Sequence, residues 1–335
     1  MKAFIACPRG NNFDTFFPPE NVSLANELGE IVWCDSHEKL TTDKVAERIG
    51  DCDVYVSLWG SPRLDRQILS AAPGLRLHAH LCGTVVPYVS EEEWTAGIRV
   101  ISGNDYFARS VAEGTVAYML TALRDIPLFG SQLKAQKKWK KPTARNEGLW
   151  GKTVGIISFG AIGRHLAEYL RPFGVKLLIY DVVKLPDEVL SVYGARQAGL
   201  EEIFSQADVI TVHTPLFDET EHLVSARLLS MIKPGALFVN TSRGQIVDEQ
   251  ALCRELADGR FRAFLDVFEK EPLPADSPLY ELPNVFIMPH MAGPTVDLRR
   301  MIAHDLLIES AAFIDRGEGL KDEITRARAE KMSVR

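Results

Sequence analysis

The sequence predicts an α/β fold in two domains, each built around a parallel β-sheet covered by helices. At 335 residues the chain exceeds the roughly 250 to 300 residues at which one hydrophobic core stops growing. Short apolar, β-prone runs alternate with segments of helical periodicity, an order typical of parallel sheets. This alternation occupies the first third of the chain and restarts after Gly151. We therefore expect a smaller first domain and a second domain with its own sheet.

The first domain contains a series of predicted strands and an amphipathic helix. The helical pattern covers Leu40–Ile49. The strands share a short apolar run bounded by polar or turn residues; they are Ala3–Ala6, Glu30–Trp33, Val54–Leu58, Leu75–Leu81 and Arg99–Ser102. Strands that alternate with helical segments in this way predict a small α/β domain.

A long helix is predicted where the first domain ends. Ala108–Arg124 carries apolar and small residues at helical spacing without proline, and is long enough to bridge two domains. The basic and polar stretch Gln132–Gly148 is expected to be a long connection. Near the end of the chain, the helical pattern Val296–Ile314 is expected to return to the first domain. The charged segment Lys321–Arg335 is expected to be frayed or exposed.

The second domain shows the stronger strand signals. Its predicted strands are Thr153–Ile157, Lys176–Tyr180, Val209–His213, Leu237–Asn240, Ala263–Val267 and Val285–Met288. Helical patterns lie between several of them. This order of elements is typical of a doubly wound, nucleotide-binding fold.

Composition and charge argue against two classes of partner. Hydrophobic residues make up 46% of the chain and charged residues 25%, and no apolar run approaches the ~20 residues that cross a bilayer. The formal charge of -7 repels a phosphate backbone, so neither a membrane nor a nucleic acid is expected as partner. One basic run, Lys134–Lys141 with Trp139 inside it, is interpreted as a solvated connection or an oligomer arm.

The start of the chain and its cysteines point to a cytoplasmic protein. Met1–Cys7 is too short for a signal-peptide core and is better explained as a first buried strand. The five cysteines are scattered without a C-x-x-C pair, which predicts neither a disulfide framework nor a zinc site. We expect reduced, half-buried thiols and no metal.

A glycine-rich turn after the first strand of the second domain predicts a dinucleotide site. The segment V-G-I-I-S-F-G-A-I-G, which ends at Gly163, follows a predicted strand and opens a helix. Glycines there let the backbone approach a pyrophosphate, whose charge the helix amides stabilise. Ser158 replaces the usual first glycine and is expected either to add backbone strain or to alter the approach to the cofactor slightly. The residues expected at the cofactor are Ser158, Gly160, Ala161, Ile162 and Gly163.

An acidic residue at the end of the next predicted strand favours NAD over NADP. Asp181 follows the glycine-rich turn by about twenty residues, where a carboxylate accepts hydrogen bonds from the ribose hydroxyls and repels a 2′-phosphate. Lys184 nearby is the one residue that favours NADP.

Three blocks in the second half of the chain point to a dehydrogenase. They are V-N-T-S-R-G-Q-I-V-D-E-Q-A-L around Arg243, L-D-V-F-E-K-E-P around Glu271, and L-P-N-V-F-I-M-P-H-M-A-G around His290. On these blocks the sequence resembles the D-isomer-specific 2-hydroxyacid dehydrogenase family, which includes glyoxylate and hydroxypyruvate reductases, D-lactate dehydrogenases and phosphoglycerate dehydrogenases. The clear match runs from Val111 to Met301, and the preceding residues match mainly in architecture.

The resemblance implies a fold of two Rossmann-like domains. A doubly wound, parallel-sheet NAD-binding domain (residues 105–296) would be inserted in a smaller, flavodoxin-like substrate domain (residues 1–104 plus 297–335). It also implies a homodimer that moves a hydride between nicotinamide and C2 of a small D-2-hydroxy acid or 2-oxo acid.

The chemistry of such a reaction explains the three residue types. A guanidinium fork binds the substrate carboxylate and polarises the carbonyl beside it, the role expected of Arg243. Hydride arrival at C2 creates alkoxide charge, so a positioned acid must supply a proton, and His290 is the candidate. Glu271, directly before a proline as in the family, would orient the ring and favour the imidazolium. Glu269 is the competing carboxylate.

Further cofactor contacts are implied by the resemblance alone. Asp266 would hydrogen-bond the nicotinamide carboxamide. His213, Thr214 and Pro215 would pass beneath the cofactor at the end of a strand. His213 is equally well explained as a histidine at the edge of the core. The remaining cofactor-lining residues implied are Thr214, Pro215, Thr241, Ser242, Ala292 and Gly293, together with Arg243 and His290.

The expected substrate loop departs from the family pattern. The equivalent segment here is Cys82–Val85, which lacks the usual second glycine and the following aspartate. The position before Ala108, often asparagine in relatives, is Phe107. We expect Gly83, Thr84, Phe107 and Arg243 to contact the substrate, and the departures leave its identity open.

Two other functions are compatible with the same motifs. One is an NAD(H)-sensing protein related to the family's corepressors, which the complete Arg, Glu and His set disfavours. The other is a dehydrogenase of this fold with another donor, such as formate or phosphite. Formate dehydrogenases of the fold pair the histidine with glutamine, so Glu271 argues against that donor.

Overall fold

The structure is a computed structural model that describes residues 1–137, 139 and 146–332. Its strands are β1 (Lys2–Ala6), β2 (Glu30–Trp33), β3 (Val54–Ser57), β4 (Leu77–His80), β5 (Arg99–Ser102), β6 (Thr153–Ile157), β7 (Lys176–Tyr180), β8 (Ala195–Gln197), β9 (Val209–Val212), β10 (Leu237–Asn240), β11 (Arg262–Leu265) and β12 (Val285–Ile287).

Helices connect most of these strands. They are α1 (Asn11–Phe16), α2 (Pro19–Leu28), α3 (Thr42–Ile49), α4 (Arg66–Ala71), α5 (Glu91–Thr95), α6 (Asn104–Leu123), α7 (Ile126–Gln136), α8 (Ala161–Leu170), α9 (Asp187–Val192), α10 (Leu200–Gln206), α11 (Ala226–Ser230), α12 (Glu249–Ala257), α13 (Val296–Arg316) and α14 (Arg326–Ala329).

The chain divides into two compact units. The first unit comprises Met1–Ala108 and Pro294–Arg335, and the second comprises Arg109–Gly293. In chain order the second unit therefore interrupts the first. Helix α6 passes from one to the other, since the division falls inside it.

The sheet of the first unit has the strand order β2-β1-β3-β4-β5, with every pairing parallel. This is the flavodoxin-like order, which confirms the predicted architecture. Both faces of the sheet are buried: Val56 packs into one apolar cluster with helix α13, whereas its neighbour Tyr55 packs into another with α3 and α4. Burial on both faces explains why these strands are continuously apolar in sequence.

A chain of polar side chains crosses this apolar core. Glu93 Oε1 accepts a hydrogen bond from His78 Nδ1 at 2.9 Å, and His78 Nε2 lies 2.6 Å from Ser57 Oγ. The same hydroxyl lies 2.7 Å from His80 Nδ1. Ser57, His78, His80 and Glu93 are all 0% exposed. The register of β3 and β4, which pairs Ser57 with His80, brings these groups together.

The sheet of the second unit has the strand order β12-β11-β10-β9-β6-β7-β8, again with parallel pairings. It is the doubly wound Rossmann order with one strand added beyond β11. The predicted strands are present, but β8 was missed. Its three residues are Ala, Arg and Gln at an edge, and none of them is buried, so no apolar run marks it.

One prediction about a connecting segment was wrong, and the one about the C-terminal segment was confirmed only in part. The expected connection Gln132–Gly148 begins inside helix α7, which continues to Gln136. Residues 138 and 140–145, which include part of the basic run, lie outside the described residues. The charged C-terminal segment is not simply exposed, because Ile324 and Ala329 are buried and Ile324 N donates to Val100 O at 2.8 Å. Ile324 and Ala329, two apolar residues among many charged ones, pack into a buried cluster and hold this segment against the first unit.

All five cysteines are free; four are buried rather than half-buried, and Cys253 is intermediate. Among the described residues, no helix is both long and apolar enough to span a bilayer. No group of three or more His, Cys, Asp or Glu side chains within the same ranges is placed to hold a metal ion.

Candidate active site

The glycine-rich turn connects β6 to α8 in the geometry of a dinucleotide-binding loop. Ser158 has a φ of 75°, in the left-handed region, as expected for a position where glycine is usual. Its amide donates to Tyr180 O at 2.8 Å, and its hydroxyl lies 2.9 Å from Thr214 Oγ1. Gly163 is needed for close packing, because a Cβ there would lie 2.7 Å from Ser158 O.

The start of α8 fits the pyrophosphate of a dinucleotide. Gly160 is the N-cap and supplies no side-chain acceptor, so the amides of the first turn, at Ala161 and Ile162, have no capping partner within the described residues. A Cβ on Gly160 would meet nothing within 4 Å, so the turn is open on that side. Free amides at the positive end of a ten-residue helix are suited to an anion.

Asp181 lies directly after β7 and faces the same turn. Its carboxylate accepts hydrogen bonds from Phe159 N at 2.8 Å and Val183 N at 3.2 Å. These bonds hold the acid beside the glycine-rich loop. Lys184 is exposed and forms no ion pair with Asp181 among the residues described.

Residues after β9 and β10 meet beside the point, between β6 and β9, where the strand order of the sheet reverses. Thr214 O accepts a hydrogen bond from Ser242 Oγ, and Thr241 Oγ1 lies 3.1 Å from Thr115 Oγ1. Pro215 is half-buried and its carbonyl accepts from Thr220 Oγ1 at 2.7 Å. Ligands of doubly wound sheets bind at such reversal points.

His213, one residue before Thr214, is buried. Its Nε2 lies 2.9 Å from Thr211 Oγ1, whereas Nδ1 has no partner within the described ranges. Burial lowers the pKa of His213 to about 3. The ring is therefore neutral at physiological pH, in keeping with a place at the edge of the core.

Arg243 lies in a loop after β10 that the Asn240 side chain holds through hydrogen bonds. Asn240 Oδ1 accepts a hydrogen bond from Ser242 N at 3.0 Å, and Asn240 Nδ2 donates one to Arg243 O at 3.0 Å. Gly244 allows a second loop to approach, because a Cβ there would lie 1.8 Å from the carbonyl carbon of Phe268. Burial lowers the pKa of Arg243, while the nearby Glu271 carboxylate raises it. At this distance between the Gly244 and Phe268 backbones, only glycine fits at the position directly after Arg243.

Glu271 and His290 form a hydrogen-bonded pair after β11 and β12. His290 Nδ1 donates to Glu271 Oε2 at 2.9 Å, and Glu271 Oε1 accepts from Phe268 N at 3.1 Å. The two side chains are 47% and 38% exposed. His290 Nε2 has no hydrogen bond within the described residues, so it is available to a ligand. The competing Glu269 instead pairs with His222 at 3.0 Å.

Asp266 organises the backbone around His290. It is 0% exposed, and its oxygens accept from Met291 N at 2.8 Å, Ala292 N at 2.9 Å and Tyr118 Oη at 3.1 Å. His290 has a φ of 57° and its own amide donates to Asp266 O at 2.8 Å. The carboxylate expected to meet a nicotinamide is thus engaged with protein groups.

The loop predicted to contact the substrate belongs to the first unit. Ser102 Oγ donates to Cys82 O at 2.8 Å and to Gly83 O at 2.7 Å, which fixes the turn after β4. Phe107 covers Gly83, since a Cβ there would lie 3.3 Å from its ring. Thr84 is half-buried in the same loop.

Several residues that shape the site were missed in the sequence. Asn240 ties the Arg243 loop, Gly244 admits the neighbouring loop, and Tyr118 supports Asp266 while stacking on Phe264 at 4.1 Å. Asn240 and Gly244 stand within the matched block and carried a signal in the N-x-x-R-G spacing. Tyr118 lies on α6, far away in sequence, and no local pattern marks it. Gly293, which was predicted to line the cofactor, is also constrained, since a Cβ there would lie 3.0 Å from the Ser110 side chain.

Comparison with known proteins gives one family model, D-isomer specific 2-hydroxyacid dehydrogenase, NAD binding domain, which matches residues 116–292. The chain is 32% identical over 307 residues to a glyoxylate reductase of Korarchaeum cryptofilum, covering 90% of this chain and 91% of the relative. It is 33% identical over 300 residues to a D-3-phosphoglycerate dehydrogenase of Methanocaldococcus jannaschii, covering 89% of this chain but only 56% of the relative. A crystal structure of a phosphoglycerate oxidoreductase from Rhizobium etli is similar with a TM-score of 0.79 at 26% identity, covering 97% and 98% of the two chains.

Proposed function

The chain belongs to the D-isomer specific 2-hydroxyacid dehydrogenase family, and we propose that it is an NAD-dependent enzyme of that family. It would transfer a hydride between nicotinamide and C2 of a small D-2-hydroxy acid or 2-oxo acid. The observation that carries this proposal is the arrangement of Arg243, Glu271 and His290 on three loops that follow neighbouring strands β10, β11 and β12.

Arg243 is suited to bind the acid. Its guanidinium carries a permanent charge and a planar donor fork, which matches a carboxylate and can polarise an adjacent carbonyl oxygen. Partial burial strengthens its electrostatic effect, since charges interact more strongly where water is excluded. The Asn240 bonds and the close contact at Gly244 hold the loop, so little reorganisation accompanies binding.

His290 is suited to move the proton. Its Nε2 can donate to the carbonyl oxygen when the 2-oxo acid is reduced, and accept the hydroxyl proton when the hydroxy acid is oxidised. Glu271 holds Nδ1 at 2.9 Å, which fixes the tautomer and stabilises the ring when both nitrogens are protonated.

The second unit also has the groups that would hold the cofactor. The amides at Ala161 and Ile162 would receive the pyrophosphate, and Asp181 the ribose hydroxyls. When bound, NAD supplies the hydride acceptor or donor. Because a carboxylate at this position repels a 2′-phosphate, we propose NAD rather than NADP, and Asp181→Ser should reduce the preference of the enzyme for NADH over NADPH.

The test follows NADH oxidation by absorbance with glyoxylate, hydroxypyruvate, pyruvate, phenylpyruvate, 2-oxoglutarate and 3-phosphohydroxypyruvate. Arg243→Ala should lower kcat/KM by about 10² to 10³-fold, the range for removing a donor that stabilises developing charge, while NADH still binds. Arg254→Ala, an exposed arginine on α12, is the matched control and should be neutral. Absence of turnover on every acid despite NADH binding would refute the enzymatic proposal and favour an NADH-sensing protein.

A further inference from the structure

A glutamine on the edge strand of the second sheet lies beside the segment that begins at Asp181. The register of β7 and β8 pairs Gln197 with Ile179, so the Gln197 side chain reaches the residues that follow β7. Its Oε1 accepts a hydrogen bond from Leu185 N at 2.9 Å. Its Nε2 donates to Val183 O at 2.8 Å and to Asp181 O at 3.4 Å. One side chain therefore bonds the two ends and the middle of this segment.

Packing contributes little to the conformation of this segment, residues 181–185. Leu185 is buried at its far end, whereas the side chains of Val182 and Val183 are 83% and 60% exposed. A stretch with few buried apolar contacts keeps its conformation through hydrogen bonds. A glutamine amide has two donor hydrogens and an acceptor oxygen, and here both kinds of group bind the backbone. The Gln197 amide therefore replaces the packing that the segment lacks.

The same hydrogen bonds reach the Asp181 carboxylate. Val183 stands between the two side chains: its carbonyl accepts from Gln197, and its amide donates to Asp181 Oδ1 at 3.2 Å. The other carboxylate oxygen, Oδ2, accepts from Phe159 N at 2.8 Å in the glycine-rich turn. Release of the Val183 peptide would leave the carboxylate with the Phe159 bond. The orientation of Asp181 thus depends on Gln197.

We propose that Gln197 is a positioning residue that sets the preference of the enzyme for NADH over NADPH. This inference rests on the proposed function, in which Asp181 accepts hydrogen bonds from the ribose hydroxyls of NAD. A carboxylate that is held before binding loses little freedom when the ribose arrives, and its fixed charge opposes a 2′-phosphate. Without Gln197 the carboxylate can turn away, which weakens its bonds to NADH and relieves the repulsion of NADPH.

The variant Gln197→Met tests this, because methionine has a similar length but lacks the amide group. The KM for NADH should rise by about 3- to 10-fold, the range for loss of one net hydrogen bond. The kcat at saturating NADH should change by less than about 2-fold, since the interaction contributes to binding alone. The KM for NADPH should stay the same or fall. Gln206→Met, the same change at an exposed glutamine on α10, is the matched control and should leave every value unchanged.

A double-mutant cycle with Asp181→Ser shows whether Gln197 acts through the carboxylate. In the Asp181→Ser background, Gln197→Met should change the ratio of the KM values for NADH and NADPH by less than about 2-fold, because the group that it positions is already gone. A further change as large as that in the wild-type background overturns the proposal. An equal rise of both KM values in Gln197→Met, or a loss of kcat at unchanged KM, also overturns it.

A second variant keeps the proposal testable if Gln197→Met is unstable in thermal unfolding. Gln197→Glu retains the acceptor for Leu185 N and loses the donor to Val183 O. The KM for NADH should rise as in Gln197→Met, and an unchanged value overturns the proposal. Failure of the proposed function would appear elsewhere, as a wild type without turnover or as an unchanged cofactor preference in Asp181→Ser. Failure of this inference would appear in the Gln197 variants alone.

Discussion

His290 and His78 each hold a glutamate carboxylate through Nδ1, and the distance is 2.9 Å in both pairs. Their surroundings differ. The His290 and Glu271 side chains are 47% and 38% exposed at the ends of two strands, whereas His78 and Glu93 are 0% exposed in the core of the first unit. The remaining nitrogen of His290 is open, and that of His78 lies 2.6 Å from Ser57 Oγ.

The comparison teaches that the hydrogen bond alone does not define a catalytic pair. The two histidines differ in what surrounds the second ring nitrogen, Nε2. At His290 it can exchange a proton with a ligand, and at His78 it is one step of a buried chain that continues to His80. We therefore expect substitutions in the exposed pair to affect turnover and those in the buried pair to affect stability.

The largest effect is expected at the exposed histidine. His290→Asn should lower kcat by about 10² to 10⁴-fold, the usual contribution of a positioned general acid, with little change in thermal stability. The measurement is steady-state reduction of the best 2-oxo acid. His222→Asn is the matched control, because His222 also faces a glutamate, at 3.0 Å, and is 50% exposed. Comparable losses in the two variants would contradict the assignment.

Substitution of the buried Glu93 carboxylate is expected to reduce stability rather than turnover. Glu93→Ala should lower the free energy of unfolding by about 3 to 5 kcal/mol, because it leaves a buried polar partner uncompensated. Glu271→Ala should cost only about 0 to 1 kcal/mol, as is usual for exposed pairs, yet impair turnover. Urea unfolding of both variants tests this. Equal destabilisation would remove the distinction that we draw between the pairs.

A smaller loss of stability should follow from cutting the buried chain in its middle. Ser57→Ala removes the hydroxyl between His78 Nε2 and His80 Nδ1, and should cost about 1 to 3 kcal/mol through unpaired buried nitrogens. A double-mutant cycle with Glu93→Ala should show non-additive costs, since both residues belong to one network. Additive costs would show that the chain does not act as a unit.

The last prediction concerns the pH dependence of stability. Burial lowers the pKa of His213 to about 3 and that of His80 well below 6.5, so both rings stay neutral in the folded protein. Below pH 6.5 the unfolded chain binds protons that the folded chain does not, and stability falls as pH falls. Each histidine should contribute about 1.4 kcal/mol per pH unit, for His213 down to about pH 3. His213→Gln should flatten this slope in urea titrations, and an unchanged slope would oppose the interpretation.

The exposed Glu271–His290 pair was predicted from the sequence, and the buried chain of polar side chains was not. Arg243, Glu271 and His290 lie within local blocks, and each follows a strand whose apolar run is visible. The buried polar chain was not predicted, because its members come from three elements of the fold. The register of β3 and β4 pairs Ser57 with His80, and a hydrogen bond joins His78 to Glu93 on α5.

The prediction of secondary structure was wrong where the apolar pattern of the sequence is weak. Strand β8 is short and polar, and α7 extends into a stretch whose lysines and glutamines suggested a connection. Ser158 could be predicted in part: its replacement of glycine indicated strain, and the structure gives it a φ of 75°. The bond between its hydroxyl and Thr214 links two loops and has no local sequence signal.

The way in which Asp266 holds the loop after His290 leaves one neighbouring position free to vary. Asp266 binds Met291 through the backbone amide alone, and the Met291 side chain is 59% exposed. Natural drift or directed evolution can therefore change the size and polarity of residue 291 without displacing the histidine. Proline is the exception, since it has no amide hydrogen to donate. A position next to the proposed acid is thus open to adaptation at small cost to the geometry of the His290 loop.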